Sequence, residues 1–276
     1  MAPNPLKLGL IAGGGQIPML IRDACRAEER PLFVAALNGF CEPAAVAGVE
    51  HGWFDLPQVG LLLKALKAAG VQEVCLCGHV SKPDFSNLKP DWRGAMLLPK
   101  LIKAALIGDD ALLRVITETF EGEGFRVVGA DALVQDLLVR EQVYSTRQPT
   151  EQQAADIRVA MTAARNLGIA DRGQAAVAAQ GVVVGLEDDA GTDALLRRMA
   201  SRPEARGGVL AKCVKPQQDR RVDLPTIGAA TIENAAAAGL TGIAVESGAA
   251  LMVDAAATAA LADRLGLFLV GLRHGG

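Results

Sequence analysis

Between Lys212 and Gly228 the chain gathers Lys212, Lys215, Asp219, Arg220, Arg221 and Asp223 within a sequence otherwise rich in alanine, leucine and glycine. No soluble core needs that density of charge. Cations in such a stretch hold phosphate, and carboxylates hold a divalent metal or aim a water. Lys212 and Lys215 are three apart and Asp219 and Asp223 four apart, but Pro216 and Pro225 interrupt any helical reading. Loop geometry must therefore bring these groups together. A carboxylate pair, Asp219 and Asp223, on magnesium is the sensible arrangement for phosphoryl chemistry, with Lys212, Lys215 and Arg221 neutralising phosphate charge and Thr226 nearby. The plainer alternative is a salt-bridged loop in solvent.

Two further stretches carry the same kind of chemistry. Glu187-Asp188-Asp189-Ala190-Gly191-Thr192-Asp193 follows a strand-like run. Asp189 could complete a metal site, and Thr192 and Asp193 could bind a sugar hydroxyl, against the ordinary role of a charged turn and helix cap. Near the N-terminus, Gly13, Gly14, Gly15 and Gln16 follow an apolar run and precede Pro18. Glycines at such a turn let backbone N–H groups approach a phosphate at a helix start. The spacing matches neither the dinucleotide fingerprint nor a P-loop. His79 and Lys82, in Cys77-Gly78-His79-Val80-Ser81-Lys82-Pro83, end another strand-like run and could meet the same phosphate.

These groups must be positioned by alternating short elements. Apolar runs at 7–12, 32–37, 71–78 and 125–128 read as strands, and helices are expected over 18–29, 56–69, 97–107 and 111–123. That alternation predicts a parallel sheet with helices on its faces, Rossmann-like, over residues 1–135. The pattern changes near 131–145, and residues 136–276 read as a distinct α/β domain carrying the charged stretch. There a helix over 151–167 with Thr150 as its cap, a strand over 177–186, a helix over 194–200, and strands over 208–214, 241–246 and 267–271 are expected.

Composition narrows the function further. Of 276 residues, 50% are hydrophobic and only 4% aromatic, and the formal net charge is -3. Few aromatics and no basic excess argue against a nucleic-acid partner. The five cysteines are odd in number and read as reduced thiols. Cys75-Leu76-Cys77, placed in a strand, is read as two thiols pointing apart rather than a metal pair. Three histidines make a histidine-rich zinc site improbable. No apolar run is long enough to span a bilayer.

Four segments together carry a family resemblance: Leu8-Gly9-Leu10-Ile11-Ala12-Gly13-Gly14-Gly15-Gln16-Ile17-Pro18; Gly78-His79-Val80 with Lys82-Pro83; Gly191-Thr192-Asp193-Ala194; and Lys215-Pro216-x-Gln218-Asp219-x-Arg221-x-Asp223-x-Pro225-x-x-Gly228. On these the chain closely resembles the bacterial UDP-2,3-diacylglucosamine pyrophosphohydrolases of lipid A synthesis, over essentially its whole length. The resemblance implies hydrolysis of the UDP-sugar pyrophosphate by water attack on the sugar-side phosphorus. The products would be UMP and 2,3-diacylglucosamine 1-phosphate, lipid X. It implies magnesium, two domains and a homodimer, and a cytoplasmic protein in peripheral contact with the inner membrane is consistent with a diacylated substrate. Asp223 matches the family's key catalytic aspartate, with Asp219 and Lys215 beside it as the other catalytic candidates. Two rivals stand: a nucleotide-dependent oxidoreductase, weakened by the imperfect glycine spacing, and a non-enzymatic lipid or nucleotide binder.

Overall fold

Leu8–Ala12 carries no polar side chain and every residue is buried, the signature of an interior parallel strand, β1. It is the middle of a sheet in the computed structural model, which describes residues 5–81 and 89–273. Helix α1 (Ile17–Ala27) follows with Pro18 in its first turn, where a missing N–H is harmless. Then come β2 (Leu32–Leu37), β3 (Glu50–Phe54), α2 (Val59–Ala68), β4 (Glu73–Cys77), α3 (Trp92–Ile107), α4 (Asp109–Gly122), β5 (Arg126–Val127) and the short α5 (Ala130–Leu133). The strands run β3-β2-β1-β4-β5, all parallel, so the expected parallel sheet is present. Its order reverses between β1 and β4, and the glycine-rich loop and His79 follow those two strands.

Some elements depart from expectation. β3 reads as polar Glu50-His51-Gly52-Trp53 before Phe54, because it is an edge strand held by its ladder to β2 rather than by burying a face. α3 begins five residues earlier than its apolar pattern, since the Asp91 side chain accepts the Gly94 N–H and caps it. Cys75 and Cys77 do not point apart. Residues two apart on a strand share a face, and burial, with the neighbouring Cys75 thiol adding to it, pushes the Cys77 thiol well above its usual range.

The second unit holds β6 (Gln142–Val143), α6 (Glu151–Ile169), β7 (Ala175–Ala179), β8 (Val182–Leu186), α7 (Gly191–Ala200), β9 (Val209–Lys212), β10 (Thr226–Ile227), α8 (Ala229–Ala237), β11 (Gly242–Glu246), β12 (Leu251–Met252), α9 (Ala255–Arg264) and β13 (Phe268–Leu272). Its main sheet runs β6-β13-β11-β9-β7-β8, with β13, β11 and β9 parallel and the outer strands antiparallel. Thr150 and Gln153 close a reciprocal cap at the start of α6. Alanines permit the close packing beneath it: Ala160 lies with Ala178 and Ala211, and Ala164 with Ala176 and Cys213. The expected single strand over 177–186 is instead a hairpin. Gln180 and Gly181 both have positive φ, the geometry of a tight two-residue turn that a Gln-Gly pair signals poorly.

By contacts the chain divides into Met1–Gln135 with Asp219–Asp223, and Asp136–Gln218 with Leu224–Gly276. Five residues of the charged stretch thus group with the first unit, although sequence order places them deep in the second half.

Candidate active site

The glycine-rich loop is built by close backbone approach. Gly13 and Gly14 donate their N–H groups to the Cys77 and His79 carbonyls at 2.9 and 2.8 Å, and His79 N–H returns to the Gly14 carbonyl at 2.8 Å. A Cβ on Gly13 would stand 2.6 Å from the His79 oxygen, and one on Gly78, where φ is +86°, 2.6 Å from the Gly14 oxygen. Two of the three expected phosphate-cradling glycines are therefore committed to joining β1 to the loop after β4. Gly15 has positive φ with open space where its Cβ would lie, and it and Gln16 take no part in this backbone pairing. The His79 ring lies 3.1 Å from the Ser81 hydroxyl. Lys82 lies outside the described residues.

Also in the first unit, the Asp219–Asp223 segment is a turn organised around Arg221. Its guanidinium donates from Nε to Asp219 Oδ1 at 3.0 Å and from Nη2 to Oδ2 at 2.7 Å. The Arg221 backbone N–H also reaches Oδ1, at 3.0 Å. These bonds hold the Asp219 carboxyl below the usual aspartate range against the opposing effect of partial burial, with Arg114 on α4 contributing in the same direction. Arg221 Nη1 meets Glu121 of α4 at 2.6 Å. Val222 packs against the core of the sheet, and the Asp223 N–H donates to the Asp219 carbonyl at 3.1 Å. Asp219 thus positions both Arg221 and the backbone of Asp223.

In the second unit, Lys212 is buried at the end of β9, and its Nζ donates to the Thr226 carbonyl at 3.1 Å. Those two sequence candidates are brought together. Lys215 pairs with Asp171 at 2.8 Å, and its backbone N–H donates to Gln218 Oε1 at 3.2 Å. The chain leaving β9 is further held by Glu246, which accepts the Val214 N–H and pairs with Arg165 at 2.6 Å. Burial, with Glu246 adding to it, pushes the Cys213 thiol up to about 12. Thr192 and Asp193 lie inside the first turn of α7 rather than capping it. The Thr192 hydroxyl donates to buried Glu187 at 2.9 Å, and Asp193 accepts from Asn234 of α8 at 3.0 Å.

Arg114, Glu121, Arg165, Asp171 and Glu246 are absent from the sequence candidates. Glu121 meets Arg221 across 100 residues of chain, and nothing in either local pattern announces the pair. Of the expected metal set of Asp189, Asp219 and Asp223, Asp219 does not offer a free carboxylate to a resident magnesium ion. Both Asp219 oxygens accept from the Arg221 guanidinium, and Asp189 is an exposed turn residue. Among the described residues no group of three or more His, Cys, Asp or Glu side chains is placed to hold a metal.

Residues 7–137 match the family model described as the LpxI N-terminal domain, and residues 140–270 the model of the LpxI C-terminal domain. The curated UDP-2,3-diacylglucosamine pyrophosphatase LpxI of Caulobacter vibrioides is 46% identical over 275 residues, covering 96% of this chain and 97% of that protein.

Proposed function

We propose that this chain, which belongs to the LpxI family, hydrolyses UDP-2,3-diacylglucosamine to UMP and 2,3-diacylglucosamine 1-phosphate. The observation that carries the reading is the near-full-length likeness to the Caulobacter vibrioides pyrophosphatase, with the Lys215–Gly228 signature intact in this sequence. In the proposed reaction a water oxygen bonds to the sugar-side phosphorus, and the bond from that phosphorus to the bridging oxygen breaks. The bridging oxygen leaves with UMP, and the water's protons pass to a carboxylate or to solvent. A phosphate leaving group needs little help from a protein acid.

Asp223 is the carboxylate assigned to orient that water, a role implied by the family resemblance. Asp219 is assigned a positioning role, because its two oxygens hold Arg221 and its carbonyl holds the Asp223 N–H. Arg221, Lys212 and Lys215 supply positive charge for a pyrophosphate whose equatorial oxygens gain charge in the transition state. Gly15 and Gln16, at the switch point of the parallel sheet, are assigned to a substrate phosphate or ribose. Thr192 and Asp193 are assigned to sugar hydroxyls.

Magnesium dependence belongs to the proposal, with the ion arriving on the pyrophosphate rather than resident in a protein cage. That fits the habit of magnesium to bind through few carboxylates plus substrate phosphates. A homodimer and peripheral contact with the inner membrane complete the reading. The test is UMP release from dispersed UDP-2,3-diacylglucosamine with and without magnesium. Release only with the metal supports the reading. No release across several divalent metals would point instead to a binding protein.

A further inference from the structure

Trp92, Met96, Pro99, Lys103 and Leu106 recur along α3 at spacings of four and three, which sets them on one face of the helix. All five are exposed. Trp92 is 77% accessible, Leu106 84% and the adjoining Ile107 69%, values far from those of a helix whose apolar stripe faces its own core. The same helix carries Lys100 and Lys103, with Arg93 at its start paired to Glu123, and no acidic residue of its own. Asp91, just ahead of it, is occupied in accepting the Gly94 and Leu61 N–H groups, and the next acids, Asp109 and Asp110, begin α4. Alongside, a groove of about 300 Å³ sets Lys100, Lys103 and Arg114 around Ala104, Ile107 and Val115.

We propose that α3 is the surface on which this protein rests against an anionic phospholipid bilayer. Large apolar side chains alternating with cations, with a tryptophan at one end, are the chemistry of a helix lying in the headgroup region. The apolar groups enter the acyl boundary while the lysine stems follow them and keep their ammonium groups at the phosphates. Among the described residues no helix is long and apolar enough to cross a bilayer, so α3 lies on the surface rather than spanning it. A second copy is a poorer occupant. Two-fold pairing of this face would bring Lys100 and Lys103 toward their own counterparts. The proposal rests on the hydrolase reading only for its purpose, since a diacylated substrate resides in such a bilayer.

The test is co-sedimentation of the full chain with phosphatidylglycerol/phosphatidylethanolamine vesicles and with phosphatidylcholine vesicles. The wild type should bind the anionic vesicles and scarcely the neutral ones. Lys100→Gln and Lys103→Gln should each weaken anionic binding about fivefold. Leu106→Ser with Ile107→Ser should weaken it as well. Turnover of detergent-dispersed UDP-2,3-diacylglucosamine should stay unchanged in all of them, because no residue altered belongs to the proposed active site. Equal binding to both vesicle types, or variants that bind as the wild type does, would overturn the proposal. So would a change of oligomeric mass in the variants, which would make this face an interface between copies. Intact vesicle binding with a raised KM on dispersed substrate would assign the face to substrate acyl chains instead. A wild type that binds through α3 yet releases no UMP would sustain the docking surface and sink the hydrolase reading.

Discussion

Arg221 holds Asp219 by both carboxylate oxygens, at 3.0 and 2.7 Å, while its remaining terminal nitrogen reaches Glu121 at 2.6 Å. A planar guanidinium can make two parallel bonds to one carboxylate, which fixes orientation as well as distance. The carbonyl of the same Asp219 receives the Asp223 N–H, so the fork orders the backbone that carries the assigned catalytic carboxylate.

Arg221→Lys should therefore lower kcat/KM for UMP release by about 10- to 100-fold, the loss of roughly 1.5–3 kcal/mol of charge-assisted hydrogen bonding. Lysine keeps the charge but loses the fork. Near-normal turnover in this variant would show that charge alone suffices and that the orientation is immaterial.

The pairing also has a pH signature. The folded-state pKa of Asp219 is lowered, chiefly by the Arg221 hydrogen bonds, so its contribution to stability is full above the unfolded value of about 3.9 and is lost as pH falls through the lower folded value. Urea midpoints of the wild type and Asp219→Asn should differ by a constant amount between about pH 5 and pH 7, and the gap should close below about pH 4. A gap that widened on acidification would contradict the depressed pKa.

Asp223→Ala should reduce UMP release by about 10³-fold or more while leaving the thermal midpoint within a few degrees of the wild type. Both are measured on the same preparation. Activity near the wild-type level would remove Asp223 from the reaction.

The glycines of the first loop should separate by mutation. Gly78→Ala meets both a left-handed φ of +86° and a backbone oxygen 2.6 Å away, and should cost about 3 kcal/mol. Gly15→Ala meets only the φ penalty, with open space around its Cβ, and should cost about 1 kcal/mol in the absence of substrate. Equal losses in denaturant titrations would mean that the close approach of the two loops is dispensable.

Much of the architecture was legible because it is local. Leu32–Leu37 is apolar throughout and buried throughout, and Thr150 with Gln153 is a cap that can be read from four residues. The same locality explains the misses. Glu50–Phe54 becomes a strand only through its neighbour β2, and the hairpin at Gln180–Gly181 turns on φ values that the side chains do not advertise.

The sequence by itself determined that charges of both signs crowd into Lys212–Gly228, that a parallel α/β unit precedes them, and which family signature they spell. Residue types, their periods and their order carry that information. Only the tertiary structure decided the partners: Asp219 with Arg221 and Glu121, Lys215 with Asp171, Lys212 with the Thr226 carbonyl, and Gly13 and Gly14 with the loop after β4. Ion pairs and backbone approaches between distant segments depend on where the chain returns in space. One-dimensional spacing does not encode that return, so the arginine fork on Asp219 and its tie to Glu121 could be seen only in three dimensions.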